Sequence, residues 1–224
     1  MTDAALDPTT AGDVIGSRYQ VVERLGQGGM GVLYLALDQR AANRRVVIKF
    51  PKKNLLFTAG FRLRFDQEIK QLISFEHPNV VRVYDVGEHN DFPYMVLQHL
   101  PGGSLADKIA KDGLQTPNEL LQWLPRIAAA LDSLHRQGIV HRDVKAANIL
   151  FDSHEEAYLS DFGIVKVLAD LDSQGTLTGG GMGSPESLAP EYVKRNFSGA
   201  YDQYGLALVS SFHLLEVPIL VGRQ

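Results

Sequence analysis

Short runs of β-branched and aromatic residues dominate the first hundred positions: Val21-Val22, Val32 to Leu35, Val46-Val47-Ile48, Val80 to Val83 and Tyr94 to Leu97. Runs of this kind, bounded by Gly, Pro, Asn and Asp, predict strands of an antiparallel sheet. One helix interrupts them, because Phe61, Phe65, Ile69 and Leu72 recur at helical spacing with Arg62, Arg64 and Lys70 on other faces. His77-Pro78-Asn79 is a turn signal that ends it. After Pro101-Gly102-Gly103 the period changes: Leu120, Leu124, Ile127, Leu131 and Leu134 fall on one helical face. A β-rich part therefore precedes an α-rich part. Gly175 to Gly183, with five glycines around Thr176 and Thr178, cannot pack as an element by itself and reads as a mobile loop. Gly205 to Val221 is apolar, yet Ser210, Ser211, His213, Glu216 and Pro218 interrupt it, so a buried helix is expected there and no membrane span.

Composition narrows the classes of function. The 224 residues, 45% hydrophobic, suffice for one domain or two small lobes. A formal charge of −4, without a basic block, argues against a nucleic-acid or anionic-lipid partner. The chain has no cysteine, which removes disulfides, thiolate metal sites and thiol nucleophiles and fits a reducing, cytoplasmic setting. Residues 1–16 mix Asp, Thr and Pro without the basic start and apolar core of a signal peptide, and are expected to form a flexible tail.

The candidate chemistry begins at Gly26-Gln27-Gly28-Gly29-Met30-Gly31, a G-x-G-x-x-G between two strand-like runs. Missing side chains would let backbone N–H groups close on phosphate oxygens. A dinucleotide fold would follow the third glycine with a helix, whereas Val32-Leu33-Tyr34-Leu35 continues as a strand, which favours a hairpin over nucleotide phosphates. A plain β-turn remains open on these residues alone. Lys49 ends the apolar run Val46-Val47-Ile48, and Glu68 lies on the charged side of the next helix. The pair is either a structural ion pair or a carboxylate holding an ammonium against phosphates.

His141-Arg142-Asp143-Val144-Lys145-Ala146-Ala147-Asn148 satisfies H-R-D-x-x-x-x-N at each defined position, and Asp161-Phe162-Gly163 and Ala189-Pro190-Glu191 follow in order. With these, the chain from Ser17 to about Leu215 resembles the protein kinase superfamily, and most resembles the bacterial eukaryotic-type (Hanks-type) serine/threonine kinases. The resemblance implies an α+β, two-lobe fold: a small antiparallel sheet lobe with one helix (17–97), a hinge (98–102) and a mainly helical, incomplete large lobe (103–224). It implies transfer of the γ-phosphoryl group of ATP, with Mg²⁺, to a Ser or Thr hydroxyl of a protein, in bacterial signalling. The acceptor set includes the chain itself by autophosphorylation.

Residue by residue, the resemblance makes Asp143 the group that orients the acceptor hydroxyl and Lys145 the neutraliser of the γ-phosphate. Lys49 and Glu68 become the phosphate-positioning pair, and Asn148 and Asp161 the metal ligands. Lysine two places after Asp143 is the serine/threonine mark. Leu25, Leu33, Val47 and Leu150 match the residues around the adenine ring, with Gln98, His99 and Leu100 as hinge. Val47 and Leu33 are bulkier than the usual alanine and valine, where a methylene is felt. Thr176 and Thr178 are candidate phosphosites, with Arg142 the cation that would pair with their phosphates. Asp202 matches a buried aspartate that anchors the catalytic loop. Val217 to Gln224 does not resemble the segment that usually follows, so the domain is expected to be C-terminally truncated. The rival reading is a pseudokinase or an inactive nucleotide-binding scaffold. Such proteins commonly lose the lysine or an aspartate of the set, and Lys49, Asp143 and Asp161 are all present.

Overall fold

A computed structural model describes residues 8–28, 31–51, 69, 72–113, 115–161 and 198–215. They divide into two compact units. Of the described residues, those up to 51, 69, 72–76 and 82–99 belong to the first, and 77–81, 100–161 and 198–215 to the second.

The first unit is a six-stranded antiparallel sheet of β1 (Val14–Ile15), β2 (Tyr19–Gly28), β3 (Gly31–Asp38), β4 (Arg44–Pro51), β5 (Val83–His89) and β6 (Phe92–Gln98), in the order β1-β2-β3-β4-β6-β5. Alternation along the strands separates two faces. Val46, Ile48 and Phe50 are fully buried on one, with Tyr34, Ala36, Tyr94 and Val96. The opposite face carries Leu33, Val47 and Lys49, because the register sets Leu33 against Lys49 and Val47 against Leu97. Arg18 joins the start of β2 to the end of β3 through two 2.7 Å bonds to Asp38, a carboxylate they hold below the ordinary Asp range.

Two expectations need correction here. Within 1–16, residues 8–16 do not form a free tail. Ile15 pairs with Tyr19 and is fully buried, Gly12 N–H donates to Val21 O at 2.9 Å, and Val21 N–H donates to Asp13 O at 2.8 Å. Asp13 closes the preceding turn by accepting from Thr10 N–H at 2.8 Å. A two-residue strand next to glycine, in a polar stretch, is too short for periodicity to register. The Val80–Val83 run is mostly not strand either. Val80 makes a single bridge to Leu159, and β5 begins at Val83. The His77–Val80 turn diverts the chain first, with Val80 N–H donating to His77 O at 3.2 Å.

The second unit holds α1 (Leu105–Asp112), α2 (Pro117–Arg136), a 3₁₀ turn (Ala146–Asn148), the β7–β8 hairpin (Ile149–Phe151 and Ala157–Leu159) and α3 (Gly199–Leu215). Both α1 and α2 start in capping boxes, Ser104 with Asp107 and Thr116 with Glu119, and Pro117 sits in the first turn of α2, where its missing N–H costs nothing. The buried stripe of α2 is Leu120, Trp123, Ile127, Ala130, Leu131 and Leu134. Trp123 thus occupies the core place that the leucine pattern assigns to Leu124, which is half-buried. Pro125 removes one helical hydrogen bond and lies on the exposed side of the helix. Among the described residues, no helix is long and apolar enough to cross a membrane.

Candidate active site

Among the described residues of the second unit, a dense polar arrangement is built on residues 141–148. His141 is fully buried, its Nδ1 accepts from Asp143 N–H at 3.3 Å, and so its Nε2 carries the proton and donates to Ser160 O at 2.9 Å. Burial moves the imidazole below the usual histidine value, outweighing the opposing pull of Asp202, so the ring stays neutral at pH 7. Asp143, 7% exposed, has its Oδ2 fixed by Asn148 Nδ2 at 3.0 Å and Lys145 Nζ at 2.9 Å. Asn148 Nδ2 also donates to Asp143 O at 2.8 Å. Ser160 donates its N–H and hydroxyl to Asn148 O at 2.8 and 3.0 Å, which places Asp161 one residue beyond the same network.

Asp202 holds this loop from behind. Its buried carboxylate accepts from His141 N–H and Arg142 N–H, each at 2.7 Å, and from His135 Nε2 at 2.8 Å. Two of these donors are backbone groups of a loop that has no ladder to satisfy them. Arg142 adopts φ +65°, a left-handed conformation disfavoured for a side-chain-bearing residue, and the bond from its N–H to Asp202 helps hold it there. α3 approaches the loop closely at Gly205, where a Cβ would lie 3.0 Å from Val144 O and 3.1 Å from Val144 Cβ and the neighbour would have to give by a few tenths of an ångström. The Asp202 anchor matches the sequence expectation. His135 and Ser160 are additions: both bond to partners brought near by the fold, and His135 lies 67 positions from Asp202. Ser160's place just before Asp161-Phe162-Gly163 was the only sequence signal for either.

In the first unit, β2 and β3 pair from Tyr19↔Asp38 to Gly28↔Gly31, so the glycine-rich segment is the closed end of a hairpin, followed by strand as expected. Gly31 cannot carry a side chain, since a Cβ would stand 2.0 Å from Phe50 O. Leu25 falls in a register shift between Arg24 and Gly26 and is 46% exposed, while Gln27 accepts a bond from Arg24. Leu33, Val47 and Lys49 share a sheet face, with Lys49 only 4% exposed. Gln98 ends β6, where its N–H donates to Arg82 O at 2.9 Å. In the second unit Leu100 and Leu150 are half-buried, Leu150 lying between the buried Ile149 and Phe151 of β7. Gly29, Met30, Glu68, Thr176 and Thr178 lie outside the described residues, as do Phe162 to Phe197 and the glycine-rich 175–183 segment.

A pH dependence of stability follows from the histidines. His141, His77 and His99 are all moved below 6.5, chiefly by burial. Each is harder to protonate folded than unfolded, so its contribution is complete above about pH 6.5 and declines as pH falls towards the folded value. The lowered carboxylates Asp38, Asp107 and Asp152 act only below about pH 4. Thermal melts should therefore show a falling melting temperature between pH 7 and pH 5, with a shallower slope in His141→Asn. A melting temperature that is flat or rises on acidification would contradict this.

The family signature described as "Protein kinase domain" matches residues 19–222. The chain belongs to that family. Among bacterial relatives it is 33% identical over 213 residues to serine/threonine-protein kinase PknB of Mycolicibacterium smegmatis, a match covering 93% of this chain and 34% of that protein. It is 36% identical over 215 residues to pkn2 of Myxococcus xanthus (94% and 25% covered) and 35% identical over 199 residues to PrkC of Bacillus subtilis (88% and 30% covered). The chain thus spans between a quarter and a third of the length of these curated relatives. Among solved structures, the kinase domain of Mycobacterium tuberculosis PknI superposes with a TM-score of 0.74 at 26% identity, covering 94% of this chain and 78% of that one. The two-lobe kinase fold agrees with that likeness.

Proposed function

We propose that this chain is the catalytic domain of a serine/threonine protein kinase, with small lobe 17–97, hinge 98–102 and large lobe from 103 onward. It would transfer the γ-phosphoryl group of ATP to a Ser or Thr hydroxyl of a protein, itself included. The observation that carries the reading is the Asp143 carboxylate, held by Asn148 and Lys145 in a loop that Asp202 and His141 lock from behind. Phosphoryl transfer asks a protein mainly for positioning and charge neutralisation, and this loop offers a fixed acceptor for a hydroxyl proton beside a mobile cation. Lys145 is half-exposed, so its ammonium can leave Asp143 for a phosphate oxygen.

In this reading Lys49, with Glu68, positions the α- and β-phosphates and the Gly26–Gly31 hairpin covers them. Leu25, Leu33, Val47 and Leu150 enclose the adenine, and Gln98 and Leu100 offer backbone groups to its edge. Thr176 and Thr178 are the proposed phosphosites. The donor set suits Mg²⁺: the Asn148 side-chain oxygen makes no bond in the loop, and Asp161 adds a carboxylate, both hard oxygen ligands. No cluster of three or more His, Cys, Asp or Glu forms a metal site among the described residues. An ion that keeps waters and phosphate oxygens in its shell needs only one or two protein ligands. Bound there, Mg²⁺ would supply charge neutralisation between phosphate oxygens.

Calorimetric titration of ATP tests the assignment. Wild-type binding should tighten with magnesium, Asp161→Asn should lose at least about tenfold of that gain, and Lys49→Met should weaken binding with or without the metal. Magnesium-independent affinity, or an Asp161→Asn variant with the wild-type response, would remove Asp161 from this role.

A further inference from the structure

The second unit contains a cavity of about 140 Å³ between the end of α1, the start of α2 and the β7–β8 hairpin. Small-molecule sites run to roughly 300–1,000 Å³, so this space suits one side chain better than a free ligand. Trp123 and Phe151, both nearly buried, contribute its aromatic walls, and Asp112, Glu119 and Glu155 put three carboxylates on it against the single cation Lys108. Glu119 is committed to the Thr116 cap. The Asp112 carboxylate makes no hydrogen bond or ion pair among the described residues. The ammonium of Lys108 is placed over the Phe151 ring, 4.7 Å from its centroid, and is paired with Glu155. The chain's own cation therefore occupies a seat made of an aromatic face and a carboxylate, with a further acid on the rim.

We propose that this cavity binds an arginine side chain of a basic peptide segment, which displaces Lys108 from Phe151 and Glu155. Arginine fits the seat better than lysine does. A planar, weakly hydrated guanidinium stacks on an aromatic ring and presents several N–H groups at once, enough for Glu155 and Asp112 together, whereas an ammonium is a compact and strongly hydrated point charge. Lys108 can yield because its partner Glu155 is 66% exposed and the freed ammonium would regain water. Lys108 then acts as an internal competitor, and affinity is set by how well an incoming cation outbids it. Binding here does not depend on phosphoryl transfer.

Trp123 is the chain's single tryptophan and its indole N–H is held by Gln115 at 2.6 Å, so its emission reports on this cavity alone. The test titrates the purified chain, without nucleotide, with a peptide of arginine and glycine that carries no hydroxyl acceptor and no tryptophan. Saturable change in emission is expected. Lys108→Ala should bind at least about threefold more tightly and Glu155→Gln at least about threefold more weakly, while Glu23→Gln in the other unit should match wild type, with melting curves confirming that each variant is folded. The lysine analogue of the peptide should bind more weakly than the arginine one. No saturable change in emission would overturn the proposal. So would binding that neither Lys108→Ala nor Glu155→Gln alters, which would mark mere attraction of a polycation to an acidic protein.

Discussion

Asp143→Asn is expected to lower phosphoryl transfer by about a hundredfold to ten-thousandfold, the range a positioned general base supplies. The substitution keeps the shape of the side chain. Its remaining oxygen can still accept from Asn148 Nδ2 and Lys145 Nζ, the two donors that now meet at Asp143 Oδ2. What disappears is the negative charge that, in the proposed reading, orients an acceptor hydroxyl and draws off its proton. The melting temperature should stay within a few degrees of wild type, and ATP binding should persist, because the proposed phosphate-positioning residues, Lys49 and Glu68, are left unchanged. Rates come from initial-velocity measurements with a protein acceptor, read beside a thermal melt. A variant within tenfold of wild type would deny Asp143 the role.

Asp202→Ala should produce a large loss of stability. The carboxylate satisfies three donors, His141 N–H, Arg142 N–H and His135 Nε2, at 2.7 to 2.8 Å and without solvent exposure. Leaving a buried donor without a partner costs about 1–3 kcal/mol, so two stranded backbone groups alone predict roughly 2–6 kcal/mol. For a chain of this size about 1 kcal/mol corresponds to about 2–4 °C, which places the expected fall in melting temperature between about 4 and 24 °C. Activity should fall with it, since Arg142 no longer has the bond that helps to hold its left-handed backbone. Asp202→Asn keeps one acceptor and should sit between the two. An unchanged melting temperature in Asp202→Ala would show that water replaces the carboxylate at little cost.

The chemistry of this chain was legible where it is local. A loop that must hold a carboxylate, an amide and a lysine within one short turn writes all three into consecutive sequence, so Asp143, Lys145 and Asn148 could be read together. The strands β3, β4 and β6 were legible for a similar reason, as each is a largely apolar run on a sheet with a buried face, whereas only the pair Val21-Val22 marked β2. What sequence could not show is pairing across distance. His135 looks like an ordinary histidine in the last turn of a helix until α3 brings Asp202 to it. The strand Val14–Ile15 gains its order from β2, not from its own two residues. Trp123 replaces Leu124 on the buried stripe because both positions fit a helical repeat within one step, and burial alone decides between them.

The measurement that bears most directly on the central claim is phosphoamino-acid analysis of a generic acceptor protein incubated with this chain, γ-labelled ATP and magnesium. The account predicts label on serine and threonine, none on tyrosine, and none when Asp143→Asn replaces the wild-type chain or when magnesium is chelated. A folded wild-type chain that binds ATP yet places no label on serine or threonine would contradict it.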